Sequence, residues 1–183
     1  MLRRRFVQAG LALPAGLLMS GSSLALTPEC RGKAAVTPRQ TEGPFYSPNT
    51  PRKDSLVEPG AKAERIVVTG LVLAPDCRRL AGAMLDFWHT DEKGDYDNSG
   101  FRYRGHVFAD AQGRYRVETI VPALYPGRTR HIHVKVGIAG RPPLTTQLYF
   151  PGDAGNARDG LYRPELLLKP EGAAKRFDFV VSV

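Results

Sequence analysis

Residues 131–138 read HIHVKVGI, and this stretch alternates strictly between polar and apolar side chains. A period of two over this length is typical of a β-strand with one buried face. His131 and His133 therefore share one face of the predicted strand, because side chains two positions apart point the same way. The apolar side chains that alternate with them occupy the opposite face, which we assign to the core: Ile132, Val134 and Val136.

Similar short runs recur along the chain between turn signals rich in proline, glycine and aspartate. The other predicted strands are 65–74 (RIVVTGLVLA), 83–89 (AMLDFWH), 114–121 (RYRVETIV), 145–150 (TTQLYF) and 177–183 (FDFVVSV). The helical period is weak throughout, with a single helical turn expected at 165–168. Several short strands with this punctuation predict an all-β fold, a two-sheet β-sandwich.

The composition agrees with one globular domain. Of the 183 residues, 24% are charged and 42% are hydrophobic, which excludes a polytopic membrane protein and a fully disordered chain. The 19 glycines and 15 prolines follow no three-residue period, so collagen is excluded as well. We predict an irregular, proline-rich N-terminal arm at 26–63, followed by the β-sandwich domain at 64–183.

The first 25 residues, MLRRRFVQAGLALPAGLLMSGSSLA, have the layout of an export signal. Arginines 3–5 precede an apolar run, and small residues follow it up to Ala25, where we predict cleavage. The apolar run is too short to span a bilayer, so we expect no stable membrane insertion. Residues 3–8 also resemble the twin-arginine signature, an address read by a receptor. A general secretory signal is the alternative, and either route predicts an exported protein, periplasmic or extracellular.

The net charge of +8 overstates how basic the predicted mature chain is. Three arginines fall within the first 25 residues, and without them the charge drops to +5. The remaining basic residues are scattered and form no recognisable nucleic-acid motif, so we predict no nucleic-acid partner. A mild attraction for small carboxylated or phenolic anions is the interpretation that remains.

Cys30 and Cys77 are the two cysteines of the chain. Two cysteines in an oxidising compartment pair more often than they stay free. We therefore predict a disulfide that ties the arm to the region of the first strand, with two buried thiols as the alternative.

The His131-x-His133 pair is a natural metal chelate, because neutral imidazole is a common metal ligand. Alone the signal is weak, since two histidines on an exposed strand face are more often solvated. Two tyrosines in turns strengthen it. Tyr125 lies in a turn just before the histidine strand, and Tyr96 lies in a turn that follows Trp88. Either tyrosine alone would be interpreted as loop packing.

Several groups of residues occur in an order that resembles a known family. They are TEGPFY at 41–46, Trp88 with GDYD at 94–97, Arg104-Gly105, Asp110 with GRY at 113–115, Tyr125-Pro126 with Arg128 and HIH at 131–133, and TQLYF at 146–150. Together they resemble the intradiol ring-cleavage dioxygenases, the family of protocatechuate 3,4-dioxygenase and catechol 1,2-dioxygenase. The resemblance runs from about residue 41 to residue 153, and the family's two-sheet β-sandwich agrees with the strand pattern.

The resemblance implies one non-haem Fe(III) per chain, held by two tyrosines and two histidines. Carried over position by position, the metal ligands are Tyr96, Tyr125, His131 and His133. Phenolate is a hard anionic ligand that suits a ferric ion, and imidazole adds borderline nitrogen donors. Zinc on the two histidines would lack a third strong nitrogen or thiolate ligand, because His89 and His106 match no motif.

Further roles follow from the same resemblance. Tyr125 is expected to leave the metal when substrate binds and to accept a substrate proton. Arg128 is expected to stabilise charge on the substrate ring. Gln147 is expected to lie near the substrate and is the alternative residue for that catalytic role. Arg130 stands where the family usually has a small residue or proline, so whether Arg128 or Arg130 faces the substrate is left open.

Two aromatic residues are expected to line the substrate pocket, Tyr46 and Trp88, although ordinary core packing explains Trp88 equally well. With its catalytic domain at 64–183, the chain is expected to cleave a catechol between its two hydroxylated carbons, using O2, to give a muconate-type diacid. The main rival is a non-enzymatic, transthyretin-like β-sandwich binding module whose tyrosines and histidines merely line a pocket. A zinc hydrolase is a weaker third hypothesis. The sequence leaves the particular catechol and the oligomeric state open.

Overall fold

The computed structural model of the protein describes residue 30 and residues 32–183. The export signal predicted at 1–25 lies outside these residues. Across the described part, no helix has the length and apolar character needed to cross a bilayer.

The described residues form nine β-strands and two short 3₁₀ helices. The strands are β1 (Arg65–Leu73), β2 (Met84–Trp88), β3 (Arg104–Phe108), β4 (Arg114–Ile120), β5 (His131–Gly137), β6 (Leu144–Tyr149), β7 (Lys169–Glu171), β8 (Ala174–Arg176) and β9 (Phe179–Val180). The 3₁₀ helices are Asn156–Arg158 and Pro164–Leu166. The second of them lies where the sequence predicts a helical turn, whereas the strand predicted at 177–183 is reduced to the two residues of β9.

The strands form two sheets. One has the order β4-β1-β8-β7, with β9 also paired to β1, and the other has the order β3-β2-β5-β6. The predicted two-sheet, all-β architecture is confirmed. The inner faces of the two sheets enclose the apolar core, in which Ile132, Val134 and Val136 are at most 1% exposed, as the alternation in residues 131–138 predicts.

The outer face of the four-stranded sheet carries polar side chains. Strand β5 pairs antiparallel with both β2 and β6, which places His133 opposite Trp88 on one side and Gln147 on the other. Trp88 is in turn opposite Arg104 of β3. Four side chains on four neighbouring strands therefore form one row across the outer face of this sheet.

The arm covers this polar face. The arm contains no regular strand between residues 32 and 63, and it is held by isolated bridges at Arg52 and Ser55. Its backbone is bonded to β6 through Gln40 and Thr145 and to β3 through Pro51 and His106. Because the arm crosses the sheet from one edge to the other, the row of Arg104, Trp88, His133 and Gln147 on the outer face is buried. The domain boundaries at residues 26 and 64 stay predictions.

A disulfide anchors the beginning of the described arm. Cys30 and Cys77 are bonded in the structure, with their Cα atoms 5.6 Å apart and 47 positions apart in sequence. The backbone N–H of Ala34 donates to the Pro75 carbonyl nearby. The arm is therefore attached at the turn that follows β1, close to the position that the sequence predicts.

Candidate metal centre

The two histidines of β5 lie side by side on the outer face, beneath the arm. His131 is 4% exposed and His133 is 3% exposed, and their Nε2 atoms are 3.2 Å apart. Burial lowers the pKa of His131 to about 4 and that of His133 well below its usual value, so both rings are neutral. The Nδ1 of His131 lies 2.7 Å from the Thr129 carbonyl and donates to it, which leaves the lone pair on Nε2.

Tyr96 brings a third donor atom to the same place. Its hydroxyl oxygen is 3.1 Å from the Nε2 atom of each histidine. Ligand atoms that share a metal at bond lengths of about 2 Å lie about 3 Å apart when the bonds are at right angles. The triangle formed by Tyr96, His131 and His133 therefore has the dimensions of three adjacent positions around one metal ion.

Burial and the neighbouring arginine charges act on the pKa of Tyr96 in opposite directions. Burial raises the pKa of the Tyr96 phenol, while the positive charges of Arg128 and Arg104 act in the opposite direction. A metal ion in contact with the oxygen would add a much larger effect of the same sign as the arginines.

The Tyr125 ring belongs to the same aromatic cluster. It lies edge-on to Tyr96 with the ring centroids 5.7 Å apart, and edge-on to Phe45 at 5.5 Å. Tyr125 is half-buried and comes from the loop between β4 and β5. The structure thus places the four predicted ligands together, three of them in mutual contact through their donor atoms and the fourth beside them.

Gly94 allows the two tyrosine loops to approach each other. It has a φ of +94°, and a Cβ atom there would lie 2.3 Å from the carbonyl oxygen of Leu124. Only glycine avoids both the backbone strain and this overlap. The loop that carries Tyr96 can therefore rest directly against the residue before Tyr125.

Arg128 is held at the edge of this cluster by two partners. Its Nε donates to the Asp159 carboxylate at 2.8 Å, and its Nη2 donates to Oε1 of Gln147 at 2.7 Å. Asp159 also accepts from the backbone N–H of Thr129 at 2.9 Å. Arg130 instead pairs with Asp153 at 2.8 Å. Of the two arginines, it is Arg128 whose charge lowers the pKa of both histidines and of Tyr96.

Gln147 is fully buried, and both ends of its amide are bonded. Its Oε1 accepts from Arg128 and from the Tyr149 hydroxyl, and its Nε2 donates to the Thr41 carbonyl at 3.0 Å. The amide oxygen and the amide nitrogen are therefore both held by neighbouring residues. The arrangement favours a positioning role for Gln147, through Arg128 and the arm, and its predicted place near the substrate stays a prediction.

The two residues predicted to line the pocket occupy different environments. Trp88 is 1% exposed, and its ring stacks on His133 at 4.8 Å with 8° between the planes. Trp88 therefore packs against the His133 ring and has almost no solvent-exposed surface. This corrects its assignment to the wall of the substrate pocket. Tyr46 is half-buried, donates to Asp86 at 3.2 Å and lies under the Lys135 ammonium at 3.4 Å.

Two further residues at the site are given no role by the sequence analysis, although Phe45 lies within the motif at 41–46. Phe45 stacks on Tyr96 with the ring centroids 4.6 Å apart, and Asp159 lies 31 positions from the Arg128 that it binds. The two other histidines lie outside the cluster: His89 bonds to Thr119, and His106 lies 3.2 Å from Thr50.

The donor set fits a ferric ion better than zinc. Among residues 30 and 32–183, no three His, Cys, Asp or Glu side chains are grouped so that they could hold a metal. A metal bound here would therefore have to use tyrosine oxygens beside the two imidazoles. Anionic oxygen ligands suit a hard trivalent cation.

Comparison with known proteins shows the family to which the chain belongs. A family model described as "Dioxygenase" matches residues 41–178, which include all four predicted ligands. The chain belongs to the intradiol dioxygenase family. Among solved structures, the dioxygenase domain of a dioxygenase carbohydrate-binding protein fusion from Streptomyces sp. SirexAA-E is 48% identical, with a TM-score of 0.77. The match covers 81% of this chain and 99% of that domain.

Relatives in this dioxygenase family include longer enzymes. The chain is 36% identical over 148 residues to chlorocatechol 1,2-dioxygenase of Pseudomonas sp. strain P51, which covers 64% of this chain and 58% of the relative. It is 33% identical over 172 residues to catechol 1,2-dioxygenase 2 of Acinetobacter lwoffii, covering 73% and 62% respectively. The chain thus spans less than two thirds of the length of these curated relatives.

Proposed function

We propose that this member of the intradiol dioxygenase family is a non-haem Fe(III) enzyme, with one iron per chain. It cleaves a catechol between its two hydroxylated carbons with O2 and gives a muconate-type diacid. The observation that carries this proposal is the convergence of Tyr96, His131 and His133, whose donor atoms lie within 3.2 Å of one another. Tyr125 is the fourth ligand.

The contacts of Tyr125 and Tyr96 suit the two tyrosines to different roles in the reaction. When bound, the ferric ion supplies Lewis acidity, which lowers the pKa of the catechol hydroxyls. Tyr125 is the ligand suited to accept a substrate proton, since its ring is half-buried at the edge of the cluster. Tyr96 is more firmly packed, between Phe45 and the histidines, and remains in place.

Arg128 stabilises negative charge on the substrate ring oxygen. Its guanidinium is fixed in advance by Asp159 and Gln147, so little reorganisation is needed when that charge develops. Both atoms of O2 enter the product, one into each new carboxyl group. The overall reaction, catechol plus O2 to diacid, is balanced without a further reductant.

We also propose that the protein is exported, by the twin-arginine route, to the periplasm or beyond. The proposal rests on the sequence of residues 1–25. Replacing Arg3 and Arg4 together by lysine should leave the protein in the cytoplasm when cell fractions are compared. Unimpaired export of that variant would indicate the general secretory route.

The catalytic proposal is tested by oxygen uptake with catechols as substrates. The purified protein, supplied with iron, should consume one O2 for each catechol and form a ring-opened diacid identified by mass. His133→Ala should abolish both iron retention and oxygen uptake. His106→Ala, on strand β3 of the same sheet, is the matched control and should retain both iron and oxygen uptake. If the iron-loaded protein consumes no oxygen with any catechol, the alternative of a non-enzymatic, transthyretin-like binding module would be favoured.

A further inference from the structure

Arg104, the first residue of β3, is fully buried against the ligand Tyr96. Its Nε donates to the Asp97 carbonyl at 2.8 Å, and its Nη1 donates to the Phe45 carbonyl at 2.5 Å. The guanidinium carbon lies 5.9 Å from the centroid of the Tyr96 ring. The arginine therefore touches both the residue after Tyr96 and the residue that stacks on it.

A buried guanidinium normally has a carboxylate partner, because an unpaired buried charge is costly. Both acceptors of Arg104 are instead backbone carbonyls, and its Nη2 has no hydrogen-bond partner among the described residues. The nearby Asp97 carboxylate accepts from the backbone N–H groups of its own loop and lies 3.6 Å from Arg102. The positive charge of Arg104 is thus left without a bonded counter-charge.

The two carbonyls belong to segments that meet around Tyr96. Phe45 is part of the arm, and its ring is stacked on Tyr96 with 19° between the planes. Asp97 follows Tyr96 in the loop between β2 and β3. By bonding to both carbonyls, one rigid, planar side chain joins the arm to the ligand loop.

We propose that Arg104 is a positioning residue for Tyr96. Its guanidinium acts as a clamp: by bonding the arm at Phe45 and the ligand loop at Asp97, it keeps the Tyr96 ring in place. Its charge balances the negative charge of a phenolate oxygen on Tyr96. The charge-balancing part rests on the proposed iron site, whereas the clamp concerns the protein alone.

The test compares three variants of the full chain after loading with ferric iron. Arg104→Met removes the charge at similar length, and Arg104→Lys keeps the charge but replaces the rigid fork of Nε and Nη1 by a single nitrogen on a flexible chain. Arg102→Met is the matched control, because Arg102 lies in the same loop near Asp97 with its side chain 59% exposed. The readouts are the visible charge-transfer band, the tyrosinate modes in resonance Raman spectra and the rate of iron loss to a chelator.

Loss of the Arg104 charge should change the visible spectrum, whereas loss of the two carbonyl bonds should speed the release of iron. In Arg104→Met the visible band should move to longer wavelength, because the phenolate donor loses a stabilising cation. The Raman modes that disappear in Tyr96→Phe should shift, and those of the other tyrosinate should not. Arg104→Lys should keep the wild-type band but release iron faster. Arg102→Met should match the wild type in every readout.

A folded Arg104→Met with the wild-type band and Raman modes would overturn the proposal, as would an equal shift in Arg102→Met. If Arg104→Met does not fold, Arg104→Lys decides, and wild-type iron retention in that variant would overturn the clamp. If the wild type itself binds no iron, the proposed function fails separately. Crystal structures of metal-free wild type and Arg104→Lys then decide the clamp: the Tyr96 hydroxyl should leave its position beside the two histidines, and an unmoved hydroxyl refutes it.

Discussion

His89 shows at the scale of one residue how burial and bonding fix a charge state. It is 1% exposed, with Nδ1 donating to the Thr90 carbonyl at 2.7 Å and Nε2 accepting from the Thr119 hydroxyl at 2.6 Å. Both ring nitrogens are satisfied in the neutral form. Burial accordingly lowers the pKa of His89 to about 4, from an ordinary value of about 6.5.

This pKa predicts how stability depends on pH. Between pH 6.5 and 4 the unfolded chain binds a proton at His89 and the folded protein does not, so the free energy of unfolding falls as pH falls. The loss from this one group approaches roughly 3 kcal/mol at the acid end. His89→Gln should remove that part of the dependence, as measured by urea unfolding of metal-free protein at pH 7, 5 and 4. Parallel curves for wild type and variant would contradict the assignment.

Arg128 and Arg130 give a matched pair of substitutions two positions apart. Arg128→Ala should keep iron and colour but lose about 2–4 kcal/mol of transition-state stabilisation, the size expected for one preorganised donor. The measurement is kcat/KM for catechol. Arg130→Ala should stay close to wild type, because Arg130 pairs with Asp153 and its side chain is 40% exposed. Equal impairment of both variants would remove the special role of Arg128.

The sequence predicts the positions of some site residues and not of others, because only some of these positions depend on local geometry. Strict alternation places His131 and His133 on one face, because the side-chain period of a strand depends on local geometry alone. The bond between Arg128 and Asp159 joins two loops, and nothing in either loop's sequence encodes that distance. The surroundings of Gln147 and Trp88 depend on the segments that pack over them, so the sequence predicts neither the bonds of the Gln147 amide nor the stacking of Trp88 on His133.

At the scale of elements, β3 shows where pattern recognition fails. Its sequence RGHVF has no apolar alternation, since Arg104 and His106 point to a face that is polar and yet covered by the arm. The hairpin of β7 and β8 is missed because each strand has only three residues, most of them charged or exposed. The longer strands were predictable because one face of each packs into the core.

The contact between the two tyrosine loops also makes a prediction at this scale. Gly94→Ala should destabilise the fold and weaken iron binding, because the new Cβ would overlap the Leu124 carbonyl at 2.3 Å. Gly60→Ala has a similar positive φ of +81° but meets nothing within 4 Å, so it carries the backbone strain alone. Chemical denaturation and iron titration of both variants separate the cost of backbone strain from the cost of the overlap with Leu124. Equal effects would show that the loop contact is unimportant.

At the scale of the whole molecule, the arm has to stay docked for the four predicted metal ligands to remain covered. The Cys30–Cys77 disulfide closes a loop with a sequence separation of 47. Loop-closure entropy then predicts a loss of about 4 kcal/mol in Cys30→Ser/Cys77→Ser, less any strain that the bond contains. Urea unfolding of wild type and double variant measures this loss.

The intact mass of exported protein tests the same bond chemically. Reduction should add two hydrogens, and a thiol reagent should label the protein only after reduction. Two thiols that react freely in the exported protein would mean that the bridge does not form, and the stability difference would then need another cause.

The most direct test of the central claim is a visible absorption spectrum of the purified protein together with its iron content. Two tyrosine oxygens on ferric iron predict a red-brown protein with a broad charge-transfer band and one iron per chain. Tyr125→Phe should keep part of the iron and shift the band, since one of the two phenolate donors is lost. A colourless protein that binds zinc or no metal, or an unchanged band in Tyr125→Phe, would contradict the account.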